Sequence, residues 1–121
     1  MLIESIRALA QFGAEHFTPI TLARTEHSDM KVVGLEAGQA IPVHHPDSDL
    51  TMVIIEGEAT LVAGDEELAH AGPGAVLHAK AGEARGVHAD KRTILLVVAS
   101  PPPTPADHRE LAEHFAKGTW R

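Results

Sequence analysis

The stretch Pro42-Val43-His44-His45-Pro46-Asp47-Ser48-Asp49 places two histidines and two aspartates directly ahead of the apolar run Leu50-Thr51-Met52-Val53-Ile54-Ile55. Imidazoles and carboxylates at such short spacing can ligate a divalent ion or move a proton near neutral pH. Further along, His78, Lys80, Arg85 and His88 sit in and around two more short apolar runs. A guanidinium keeps its proton at physiological pH, so Arg85 cannot ligate a cation and would repel one. It can instead hold a carboxylate or phosphate through two parallel hydrogen bonds.

The chain has nine histidines in 121 residues, and their positions must decide what they do. His108 and His114 are six residues apart, off the i, i+4 spacing that faces one ion, so "HRELAEH" is not the helical His-Glu-x-x-His zinc motif. His16, His27 and His70 lie outside any chemical pattern and read as exposed. Ser28, Ser48 and Ser100 lack a nucleophile-elbow context, and the glycines form no phosphate-cradling loop. Glu56, Glu58, Glu66 and Glu67 read as solvated strand-edge charges, which discourage edge-to-edge association.

Such side chains need a scaffold, and the pattern supplies one. Short β-like runs at residues 19–24, 30–37, 50–56, 58–63, 66–70, 75–79, 86–89 and 93–99 are separated by turn residues with no helix between them. About eight strands so spaced make an all-β, antiparallel sandwich or barrel. Residues 2–12 carry Leu2, Ile6 and Leu9 at helical spacing and predict an N-terminal helix; residues 105–117 predict a C-terminal one after the stiff connector "SPPPTP". The expectation is one domain over residues 1–121, with its barrel at about 19–100.

Composition narrows the partners. The formal charge is −7 and the ten basic residues form no cluster, so a nucleic-acid face is not expected. There is no cysteine, hence no disulfide and no thiolate nucleophile. No apolar run approaches the ~20 residues of a membrane span. The opening "MLIESIRALAQFG" has an acid at Glu4 and no small-residue cleavage site, so it reads as an amphipathic helix and not a secretion signal; a cytoplasmic location is the expectation. The apolar faces of both terminal helices predict a homodimer.

Two glycine frames resemble the small single-domain cupins, the RmlC-like barrels. The first frame of that family is Gly, five residues, His-x-His, three or four residues, Glu, six residues, Gly. Here Gly38, His44 and Gly57 fall in place, with Pro46 at the second histidine and Leu50 at the glutamate. The second frame is Gly, five residues, Pro-x-Gly, two residues, His, three residues, Asn. Gly74 and Gly82 keep it, while Lys80, Arg85 and Ala89 replace the proline, histidine and asparagine. The resemblance spans residues 30 to 100 and implies a jelly-roll (double-stranded β-helix) barrel.

In that family three histidines and a glutamate hold the metal, and of these only His44 remains. The resemblance therefore implies a barrel that needs no cofactor, with a small anionic or carboxylate-bearing molecule as partner. His44, Arg85, His78 and Lys80 are the candidate ligand-binding residues, His44 doubling as candidate general acid or base. Arg85→Ala is then expected to remove anion binding and spare the fold. Three alternatives stay open: Arg85 pairs with Asp47 or Asp49, a metal enzyme is rebuilt from His44, His78 and an aspartate, or the chain is a structural or regulatory module. Sequence leaves open which face of strand 75–80 is inside. By alternation, His45 lies opposite His44 and His88 opposite Arg85, and both read as surface residues.

Overall fold

The structure, a computed structural model, describes residues 1–121. Nine strands form two facing antiparallel sheets. In chain order they are β1 (Ile20–Arg24), β2 (Asp29–Leu35), β3 (Ala40–His44), β4 (Asp49–Glu56), β5 (Ala59–Ala63), β6 (Glu66–Ala71), β7 (Val76–Ala79), β8 (Arg85–Ala89) and β9 (Thr93–Ser100). One sheet has the order β1-β2-β9-β4-β7 and the other β3-β8-β5-β6. The expected antiparallel barrel is the observed architecture. No helix is long and apolar enough to cross a membrane.

Alternation sorts the strands into faces. Leu50, Met52 and Ile54 of β4 face inward beside Leu77 and Ala79 of β7, and Leu61, Val87 and Ala89 meet them from the other sheet. At roughly 25 cal/mol per Å2 of buried apolar area, this inward face is the main driving force for the barrel.

Three differences from the expected elements have local causes. Strand β3 was not among the expected runs, because Pro42 interrupts it and proline cannot donate to a ladder. It forms nonetheless as an edge strand whose register slips between Ile41 and His44, and edges and bulges are where strands accept proline. The N-terminal helix is one turn, α1 (Ile6–Leu9), capped by Ser5. The chain leaves helical geometry at Ala10, which is extended, and Gln11 and Phe12 then lie against Gly34, where a Cβ would meet the Gln11 carbonyl at 2.4 Å. Arg92 covers the Phe12 ring at 3.7 Å. The C-terminal helix begins with a 3-10 turn, Pro105–His108, before α2 (Arg109–Lys117).

Gly57, which closes the first frame, shows why a glycine is needed there. Its φ is +98°, and a Cβ would lie 2.2 Å from the Arg92 carbonyl oxygen. Beside it, the buried Thr93 hydroxyl accepts from the Glu58 amide and donates to backbone carbonyls. Gly57→Ala is expected to destabilise the fold by about 3 kcal/mol or more, from backbone strain and the lost turn. Urea unfolding of the variant against the parent checks this.

Candidate functional site

The bulge in β3 positions His44. It slips the register so that Ile41 lies opposite Val87 and His44 opposite Arg85. Arg85, Val87 and Ala89 alternate onto the core face, so His44 faces the interior with them. Val43 points the other way: a Cβ on Gly86 would strike its side chain at 2.6 Å. The outer edge of β3 is closed by the C-terminal tail, whose Trp120 carbonyl accepts from the Val43 amide at 2.6 Å.

His44 is 7% exposed, and its Nδ1 lies 2.8 Å from the Pro42 carbonyl. A carbonyl can only accept, so Nδ1 carries the hydrogen and Nε2 holds a lone pair in the neutral ring. Burial lowers the pKa below the ordinary value, although the Pro42 hydrogen bond opposes it; the Arg85 charge adds to the lowering. His44 is thus a neutral imidazole at neutral pH.

Arg85 differs from its expected role. It is 1% exposed and its donors end on backbone carbonyls. Nη1 donates to Ser48 O at 2.7 Å and Nε to Glu83 O at 3.2 Å. Nη2 donates to Lys80 O at 2.8 Å, with Glu83 O at 3.1 Å and Pro46 O at 3.4 Å alongside. Burial lowers its pKa, against the raising influence of Asp49, Glu83 and Asp107. It makes no ion pair with Asp47 or Asp49: Asp49 accepts from the Ala81 amide instead. Nor is this a free fork for an anion. It is a staple between two loops, and the expected anion grip is corrected accordingly.

His78 and Lys80 are corrected as well. Leu77 and Ala79 take the inner face of β7 because they are apolar, so His78 and Lys80 point outward and are exposed. His78 Nδ1 meets the Thr51 hydroxyl at 3.2 Å on that outer face. They cannot share a pocket with His44. A rebuilt metal centre at His44 finds no donors either: the only group of three converging His, Asp or Glu atoms is Glu58, His70 and Asp90. From sequence, Glu58 reads as a solvated charge and His70 as exposed, and nothing in the spacing announces their convergence with Asp90.

His45 and His88 face away from the interior, as alternation required. His45 receives Glu110 of α2 on both its backbone and its ring, at 3.0 and 2.8 Å. Beside it, Asp107 accepts from the Asp47 amide and from Thr104. The Thr104 backbone hydrogen bond leads the lowering of the Asp107 pKa. For Glu110, partial burial pushes up, yet the His45 hydrogen bonds bring the carboxyl net below its ordinary value. These contacts dock α2 against the loop after β3. Between α2, the tail, residues 15–19 and the outer face of β3 lies a groove of about 940 Å3. Phe17, Phe115 and Trp120 line it, with Phe17 and Phe115 paired at 6.1 Å and Trp120 lying 5.4 Å from the His88 ring.

Solved structures share the fold. The chain is 34% identical to TT1209 of Thermus thermophilus over 84% of this chain and 98% of that one, with a TM-score of 0.76. It is 31% identical to an RmlC-like cupin protein of Desulfovibrio desulfuricans, over 84% and 93% of the two chains, with a TM-score of 0.68. The chain belongs to the cupin superfamily. An uncharacterized conserved protein with a double-stranded β-helix domain, from Klebsiella pneumoniae, is 25% identical over 82% and 89%, with a TM-score of 0.72. No family model and no curated protein matches the chain. As a cupin, it keeps the glycine frames and one inner histidine, with apolar side chains and the buried Arg85 on the rest of the inner wall.

Two outcomes test this account of the cupin interior. Arg85→Met strips the donors from the Ser48, Lys80 and Glu83 carbonyls. It is expected to cost about 3–5 kcal/mol and lower the melting midpoint by on the order of 10 °C, which calorimetry reads directly. The second concerns pH. An unfolded histidine titrates near 6.5, whereas folded His44 resists the proton. Its contribution to stability is therefore present above about pH 6.5, declines as pH falls below that value, and levels off under the folded pKa. Melting midpoints should drop between pH 7.5 and 5.5 more steeply for the parent than for His44→Gln; equal slopes would refute the assignment.

Proposed function

We propose that this cupin is a small-molecule binding protein whose site is the groove beneath α2, outside the barrel. The observation that carries the reading is the groove's lining. Three aromatic rings contribute to its apolar part, while its polar lining holds His16, Lys31, His88, His108 and His114 against a single carboxylate, Glu15. Lys31 is steadied by Asp29 at 3.1 Å and keeps further N–H donors. A ligand with a flat apolar body and an anionic end matches both halves: rings stack on rings, and imidazole or ammonium donors meet the anion. The volume falls in the range of drug-sized ligand sites. The barrel interior offers less. His44 is nearly covered and lines neither this groove nor the smaller cleft near β6 and β7.

Trp120 is the only tryptophan in the chain and lines the groove, so its emission reports occupancy. Tag-free protein in EDTA should show a saturable change in that emission, and a raised melting midpoint, with aromatic or branched aliphatic carboxylates. Phe115→Ala and Lys31→Gln should each weaken the dissociation constant by about tenfold, roughly 1.4 kcal/mol. The reading fails if no carboxylate alters emission or melting at millimolar concentration, or if both variants bind as the parent does.

A further inference from the structure

We propose that Glu58, His70 and Asp90 form a binding site for a divalent transition-metal ion of the zinc type. The site lies on the outer face of the four-stranded sheet, separate from the groove and from the barrel interior. Thr60 of β5 pairs with His88 of β8, and both point away from a core that holds their neighbours Ala59, Leu61, Val87 and Ala89. On the other side of β5, the β5–β6 register slips between Ala59 and Leu61. His70 lies at that slip with φ +53°, a left-handed conformation uncommon away from glycine. The backbone there joins three distant parts of the chain. The Asp90 and Lys91 amides both donate to the Glu58 carbonyl, at 2.9 and 3.1 Å, and the His70 amide reaches the Thr60 hydroxyl at 3.4 Å.

The side chains converge on one point. His70 Nδ1 is 3.1 Å from Glu58 Oε1 and 3.1 Å from Asp90 Oδ2, and the three donor atoms lie within 4.8 Å of one another. A ring nitrogen carries at most one hydrogen, so it serves one of these carboxylates at a time. A divalent ion serves both together with the nitrogen. The spacing also fits. Zinc bonds of about 2.0–2.2 Å to nitrogen and oxygen put tetrahedral ligand atoms about 3.3–3.5 Å apart, so contraction around an ion needs only small rotations.

The remaining oxygens are already occupied from outside. Lys91 Nζ holds Glu58 Oε2 at 3.2 Å, and His88 Nδ1 meets Asp90 Oδ1 at 3.3 Å. The Thr60 hydroxyl donates at 2.9 Å to Asp90 Oδ2, the oxygen that faces His70, which uses one lone pair of that oxygen and leaves the other for an ion. Each carboxylate is thereby left with one oxygen toward His70, oriented as supporting hydrogen bonds orient the ligands of metal sites. One nitrogen and two carboxylate oxygens are donors suited to zinc or a neighbouring first-row ion. The His70 side chain is 70% exposed, so water completes the coordination and the site is open. The Lys91 charge opposes a cation, which gives the site a directional signature: removing that charge should tighten binding.

The test uses tag-free, chelator-stripped protein titrated with zinc against a chromogenic competitor, with cobalt(II) absorption as the spectroscopic readout. One equivalent is expected, with visible d–d bands for cobalt. His70→Ala and Asp90→Asn should each weaken it by about tenfold or more. His78→Ala, exposed on the other sheet, should bind as the parent does. Lys91→Gln should bind more tightly, whereas a plain ion-pair cluster has no reason to. Glu58→Gln stands in if either main variant loses its melting transition. No saturable uptake by the parent, or uptake unchanged in His70→Ala and Asp90→Asn, overturns the site.

Discussion

A buried guanidinium governs the mouth of this barrel. Arg85 lies in β8, but the carbonyls it serves come from the loop after β3 (Pro46 and Ser48) and the turn before β8 (Lys80 and Glu83). The Gly82 amide adds a further tie to Pro46 O at 2.9 Å. Desolvating a cation is expensive, and the expense is offset only when its donors are satisfied and negative charge lies near. Carbonyl dipoles supply the first condition, and Asp49, Glu83 and Asp107 the second. The loop so fixed then receives α2, through Asp47 on Asp107 and His45 on Glu110. One side chain therefore sets where the C-terminal helix can dock, and so the shape of the groove.

Apolar side chains fill much of the interior. Leu50, Leu77, Ala79 and Val87 pack the wall that the family's metal would otherwise face, leaving His44 as a neutral, nearly covered imidazole. Polar and titratable side chains collect on the outer faces instead. On one flank of the four-stranded sheet, β3, α2 and the tail enclose an aromatic and imidazole groove. Farther across, β5, β6 and the turn after β8 gather two carboxylates around His70. His88 touches both regions, its ring against Trp120 and its Nδ1 against Asp90.

Much of the fold was legible because it depends on period and on glycine. The two frames reported a backbone, and their glycines Gly38, Gly57, Gly74 and Gly82 all take positive φ. Strand β3 was hidden by Pro42, since no local rule shows that a strand will be an edge with a bulge beneath the proline. The face of β7 was undecided because Val76, His78 and Lys80 alternate as regularly as Leu77 and Ala79. Only the packing against Leu50 and Met52 resolves it. For Arg85 the residue type was readable and its partner was not, because the same donors fit a ligand carboxylate or a set of main-chain carbonyls. The cluster at His70 joins residues 12 and 20 apart in sequence through a register slip, which no periodicity reveals.

The replacements at the family's metal positions make sense only as a set. With Leu50 in place of a glutamate, burial of an aliphatic side chain contributes about 2 kcal/mol, where an unpaired carboxylate would have been heavily penalised. With Arg85 in place of a histidine, a buried cation stands on that wall and takes the Ser48, Lys80 and Glu83 carbonyls as its acceptors. Restoring one member alone does not restore the metal site. A histidine at position 85 has too few donors for the Ser48, Lys80 and Glu83 carbonyls, and it would still face Leu50 and Pro46, which offer a metal nothing. The barrel mouth is held by a staple: one buried positive centre satisfies carbonyl oxygens from the loop after β3 and the turn before β8 at once.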